Sequence, residues 1–152
     1  MVRRTPAAAP KAVAAAATVA KPSEAEQRLL ALARDMEGLG ADALRRAIRA
    51  LAAANAPEAE LPRAMQRAWL ASRGDKTATL ALAWAREQLR LALQDVIEAT
   101  PPSARGALGL PADTLSWLLL AACESLAHEQ PSAAADRVRL LLALAGCAPP
   151  PA

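Results

Sequence analysis

The chain has 152 residues, 54% of them hydrophobic, with three Trp and neither Tyr nor Phe. Such a length suits one domain that buries a sizeable core without metals or disulfides, and the excess of alanine and leucine over β-branched residues favours helix and disfavours strand. The net charge of +3 overstates any attraction to nucleic acid: Arg3, Arg4, Lys11 and Lys21 account for four of the 18 basic residues, leaving 14 against 15 acidic groups in the rest of the chain.

Residues 1–22 read as a disordered Ala/Pro/Lys tail, because Pro6, Pro10 and Pro22 break helices and no leucine seeds a core. Arg3-Arg4 ahead of the run 12–20 offers a competing export-signal reading, but Thr5-Pro6 follow the pair and the run is mostly alanine. A helical domain is expected over 23–147, and a short disordered proline-rich end over 148–152.

Ser23, with Glu24 and Glu26 behind it, is a helix start whose hydroxyl accepts a free backbone N–H. Ala25, Leu29, Leu32, Ala33 and Met36 form its apolar face, and Gly38-Leu39-Gly40 stops it. Asp42 is expected to cap a second helix with the stripe Leu44, Ile48 and Leu51, ended by Asn55-Ala56-Pro57. A third starts at Glu58 or Pro62 and runs to Ser72, with Met65, Ala68 and Trp69 on its apolar side.

Gly74-Asp75 opens the longest helix, over 76–99. It carries two apolar stripes: Leu82, Ala85, Leu89, Leu93 and Val96 on one side, and Leu80, Trp84 and Leu91 nearly opposite. A helix so patterned is expected to be sandwiched, with Arg86, Glu87, Arg90, Gln94, Asp95 and Glu98 filling the gaps. After a Gly/Pro/Ser loop, Asp113 caps a helix over 113–128 that is apolar around nearly its whole circumference. One side is expected to pack on its own domain and the other on a second copy. Glu129-Gln130-Pro131 reverses the chain, and Ser132 caps a last helix with Val138, Leu141, Leu142 and Ala145 inward. The fold class is therefore all-α, a five- to six-helix bundle behind a disordered N-terminal tail.

Signals for chemistry are sparse. Cys123 and Cys147 make no disulfide framework, and Cys123 reads as a small core residue. The longest apolar run, 140–147, is too short to cross a bilayer, which takes ~20 residues. One histidine, without a second His or a Cys at ligand spacing, makes no metal site, and no nucleophile–base–orienter set can be assembled. Residues 38–40 and 106–109 lack the strand and spacing of phosphate loops. Arg45, Arg46 and Arg49, with Arg63 and Arg67, read as a solvated face or as a weak grip on phosphate. Trp117, Glu124 and His128 share one stripe, where His128 is either a polar spot on a seam or pocket wall, or a solvated residue near a helix end. Trp69 and Trp84 are equally suited to a ligand wall and to a core.

From residue 103 onward a family pattern emerges: Ala104-Arg105-Gly106-Ala107-Leu108, then Pro111-Ala112-Asp113-Thr114-Leu115, the helix from Trp117 to Ala127, a break, and Ala135-Asp136-Arg137-Val138 leading to Gly146. This resembles the C-terminal domain of TetR-type transcriptional regulators, and the likeness spans roughly 40–147. It implies a homodimer held by the last two helices, with Trp117, Leu119, Leu120, Glu124, His128, Val138, Leu141 and Leu142 at the interface. It also implies a pocket for a small apolar effector lined by Trp69, Leu80, Trp84 and Leu91. The family's helix-turn-helix has no counterpart in this sequence, so DNA contact is expected to be weak or indirect. The resulting expectation is a cytoplasmic bacterial regulatory module without cofactor, metal or catalytic residues; the alternative is a helical interaction protein that binds no small molecule.

Overall fold

The computed structural model describes residues 21–40, 42–105 and 109–147; the tail expected over 1–22 falls almost wholly, and the end expected over 148–152 entirely, outside them. Within them the chain is all-α: α1 (Glu24–Asp35), α2 (Ala43–Ala54), α3 (Glu60–Ala71), α4 (Lys76–Ala99), α5 (Ala112–Ser125) and α6 (Pro131–Leu144). Short 3-10 turns stand at Pro102–Ala104 and Leu126–His128, so the last turn of the helix expected to reach His128 is tightened. α4 is the axis, touching α1, α2, α3 and α5, while α6 packs on α2 and α5.

Local chemistry explains most of the boundaries. At α1, Ser23 Oγ accepts from the Glu26 N–H at 3.3 Å and the Glu26 carboxylate accepts the Ser23 N–H at 3.2 Å, a closed capping box. At α4, Asp75 Oδ1 accepts from Thr77 and Ala78 N–H at 2.9 and 3.1 Å. Three expected caps differ. Asp42 sits in the left-handed region at φ 61° and makes no capping bond; its carboxylate lies 3.7 Å from Arg45 instead. Asp113 stands inside the first turn of α5, where it complements the helix dipole. α6 starts at Pro131, one residue before Ser132, because a proline without an N–H suits the first helical position.

The core joins Leu29 of α1, Ile48 and Leu51 of α2, Leu89 and Leu93 of α4, and Leu119 of α5. Two expectations about faces are corrected by it. The second stripe of α4 is not covered: Leu82, Ala85, Leu89, Leu93 and Val96 are buried, but Leu80, Trp84 and Leu91 are 69%, 56% and 39% exposed. Leu119, Leu120 and Leu142, expected at a dimer interface, are buried in their own fold. A helix apolar all round does not reveal from sequence which arc turns inward. In α5 that arc is Leu115, Ser116, Leu119, Leu120 and Cys123, and the arc left outside holds Trp117 and Leu118.

Candidate ligand cleft

The reversal between α3 and α4 sets one wall of a cleft. Ser72, buried at the end of α3, donates its hydroxyl to the Trp69 carbonyl at 3.0 Å, and its own carbonyl accepts the Asp75 N–H at 2.9 Å. Gly74 takes φ +84°, a conformation that L side chains rarely adopt, and so lets the chain double back. Trp69 is thereby held at the rim, with the Arg73 guanidinium 4.8 Å from its ring centroid.

Below it opens a cleft of about 690 Å³, floored by Leu29, Leu61, Met65, Leu82, Leu89 and Leu120. The volume lies within the usual range of small-molecule sites. Across its polar side, Arg86 of α4 donates from Nε and Nη2 to the two carboxylate oxygens of Glu124 of α5, both at 2.6 Å. The two side chains are 33% and 32% exposed. The hydrogen bond to Glu124 raises the Arg86 pKa above its ordinary value against the opposing effect of burial. His128, Gln66 and Arg63 are exposed around the rim, and Asn55, buried, donates from Nδ2 to the Leu51 carbonyl at 2.9 Å.

The expected site residues are distributed differently from the sequence pattern. Trp69 lines this cleft, together with Leu120, Glu124 and His128, which had been expected on the dimer interface. Trp84 and Leu91 instead border a groove of about 560 Å³ between α1 and α4, and Leu80 a hollow beside Gly74 and Asp75, so the four expected pocket residues do not share a cavity. Leu119 and Leu142 belong to the core, Val138 and Leu141 are half-buried against it, and Trp117 is exposed on α5. Outside the bundle, Leu140, Leu141 and Leu144 of α6 meet Ala122 and Ser125 of α5 along a groove of about 650 Å³.

Sequence inspection missed Arg86, Met65 and Gln66 as cleft residues. Arg86 stands among the polar residues between the two stripes of α4, and its partner is 38 positions away, beyond any local pattern.

The arginine cluster is largely engaged within the fold. Arg45 donates to the Cys147 carbonyl at 3.1 Å and Arg46 to that of Leu39 at 3.2 Å. Arg63 lies 3.3 Å from Glu58, and Arg67 bridges Glu24 and Glu60 at 2.9 and 2.7 Å. Arg28 and Arg67 hold the Glu24 carboxyl below its ordinary pKa. Pairing with Glu24, Glu58 and Glu60 offsets the positive charge of Arg63 and Arg67, which favours the solvated-face reading. Burial pushes the Cys123 thiol up to about 12, so it is a protonated core group rather than a nucleophile at neutral pH. Among the described residues no His/Cys/Asp/Glu group is arranged to hold a metal, and no helix is long and apolar enough to cross a membrane.

Comparisons of the chain with models of protein families, with curated proteins and with solved structures return no match.

Proposed function

We propose that the chain is a non-enzymatic effector-binding and dimerisation module, laid out like the regulatory domain of TetR-type transcriptional regulators. An apolar effector enters the cleft between α3, α4 and α5, a second copy covers the outer face of α5 and α6, and any effect on transcription passes through a DNA-binding partner. The observation that carries this reading is the cleft. It combines a leucine floor, an aromatic rim at Trp69 and a few convergent polar groups, the usual composition of a small-molecule site. The apolar groove along Leu140, Leu141 and Leu144, continuous with α5, supports the dimer half of the reading.

Titration with N-phenyl-1-naphthylamine, which fluoresces in apolar surroundings, tests the cleft. Saturable binding is expected, weakened several-fold by Trp69→Ala, a rim change that spares the core. Absence of saturable binding refutes the effector reading. Native mass spectrometry of the purified chain tests the assembly: a dimer is expected, and a ligand-free monomer favours the alternative, a helical adaptor that offers the exposed Leu118, Leu140 and Leu144 to a different protein.

A further inference from the structure

We infer that the cleft selects apolar molecules ending in a single carboxylate, an inference that rests on the effector-binding reading above. The argument comes from which hydrogen-bonding and charged groups at the rim are already engaged. A cationic head group would need either a carboxylate or an aromatic face. Both oxygens of Glu124, the acidic residue of the lining, already accept from Arg86 at 2.6 Å, and the Trp69 ring already carries Arg73 at 4.8 Å. The other acceptors of the lining, on Asn55, Gln66 and His128, carry no negative charge, so the charged capacity that remains is donor. Glu124 takes hydrogens from Nε and Nη2 of Arg86, and the Nη1 hydrogens find no acceptor among the described residues. Arg63, which also reaches Glu58 at 3.3 Å and Glu60 at 3.8 Å, adds a second guanidinium with donors to spare, and Gln66 an amide that can donate. An anionic acceptor gains a charge-assisted bond there, about twice as strong as a neutral one gains, while the floor of Leu61, Leu82, Leu89 and Leu120 takes an alkyl or aryl body.

Glu124 also shows what the position favours, since it is itself a carboxylate drawn onto the Arg86 fork. A ligand carboxylate and Glu124 therefore compete for one cation. Removing the charge of Glu124 should tighten binding of an acid, whereas a purely structural ion pair predicts weakening.

The test displaces N-phenyl-1-naphthylamine from the full chain with decanoate, decanamide and decylammonium, which share a decyl body and differ in the head group. Decanoate is expected to displace at about tenfold lower concentration than decanamide, a difference equivalent to one charge-assisted bond, and decylammonium is expected to be weakest. Glu124→Gln should tighten decanoate several-fold. The double variant Arg86→Gln/Glu124→Gln leaves no buried charge unpaired, so it keeps a folded chain for the comparison, checked by circular dichroism. Its own naphthylamine affinity serves as the reference for the displacement series, and it should lose the preference for decanoate over decanamide. Equal displacement by decanoate and decanamide, tighter decylammonium, or a decanoate preference that survives in the double variant overturns the inference while leaving the effector reading in place. A chain that never binds the naphthylamine overturns the effector reading itself.

Discussion

Leu118 and Leu119 are neighbours on α5, yet one is 39% exposed and the other 1%. Truncating each to Ala therefore separates surface from interior within one turn of helix. Leu119→Ala empties a site in the core and should cost about 3 kcal/mol, the sum of lost transfer energy and a residual cavity. For a domain of this size that lowers Tm by about 10 °C. Leu118→Ala removes a side chain only partly withdrawn from water and should cost about 1 kcal/mol. The charged versions sharpen the contrast. Leu119→Glu places a carboxylate among Leu89, Leu93 and Cys123 of the core and should prevent stable folding, with an uncompensated buried charge costing several kcal/mol. Leu118→Glu should fold, melt within a few degrees of the parent chain, and yield a monomer in analytical ultracentrifugation. Urea melts followed by circular dichroism supply the stabilities. If Leu118→Ala proves the costly change and Leu119→Ala the mild one, α5 is turned about its axis from the orientation described, and the assignment of its faces is wrong.

The Arg86–Glu124 pair gives a second expectation. Each single truncation should cost more than the double, and a double-mutant cycle in thermal melts should show about 1–2 kcal/mol of coupling, between an exposed pair and a buried charge-assisted one; coupling near zero removes the pair as a clasp. Ser23→Ala should cost about 1 kcal/mol by opening the capping box, read as a lower urea midpoint at unchanged slope. Cys123 should resist alkylation in the native chain and react on unfolding. Its thiol is held protonated in the fold, raised from 9.0 to about 12, so its contribution to stability is complete below 9.0 and is lost as pH rises through about 12. A chain no less stable at pH 11 than at pH 8 contradicts that burial. Glu24 works in the opposite sense: lowered in the fold by Arg28 and Arg67, it favours the native state at neutral pH and ceases to do so as acid protonates it. Glu24→Gln should therefore lose part of the parent chain's acid sensitivity.

Much of the helix pattern was legible because it depends on neighbours in the chain. Ser23 with Glu26, Gly74 with Asp75, and the span 76–99 are local signals, and the structure has α1 and α4 starting at Glu24 and Lys76. What the sequence could not carry is orientation about a helix axis. Trp84 and Leu91 form as good an apolar stripe as Leu82 and Leu89, and only where the neighbouring helices pack on α4 leaves the first pair outside. The same holds for α5, where Leu119 and Leu118 look alike until α2 and α4 take up their places against one arc. The cleft was half legible. Trp69, Glu124 and His128 stood out as uncommon residues, but their convergence depends on tertiary packing, and Arg86 was hidden by resembling an ordinary surface arginine.

Ser116, in the middle of all this hydrocarbon, has a consequence for specificity. It is fully buried; its hydroxyl donates to the Asp113 carbonyl at 2.7 Å and accepts from Arg90 of α4 at 2.9 Å. Arg86 and Arg90, one turn apart on α4, thus latch the antiparallel α5 at two levels, one through Glu124 and the other through Ser116. Burial is non-directional: a cylinder greasy on every side loses little when it spins or slips by a residue, so leucine alone leaves a ladder of near-degenerate poses. Two guanidinium latches lift that degeneracy, because slippage breaks directional hydrogen bonds to Glu124 and Ser116 that fit only one register. Hydrophobicity drives α5 inward, and a serine and a glutamate fix its rotation and register there.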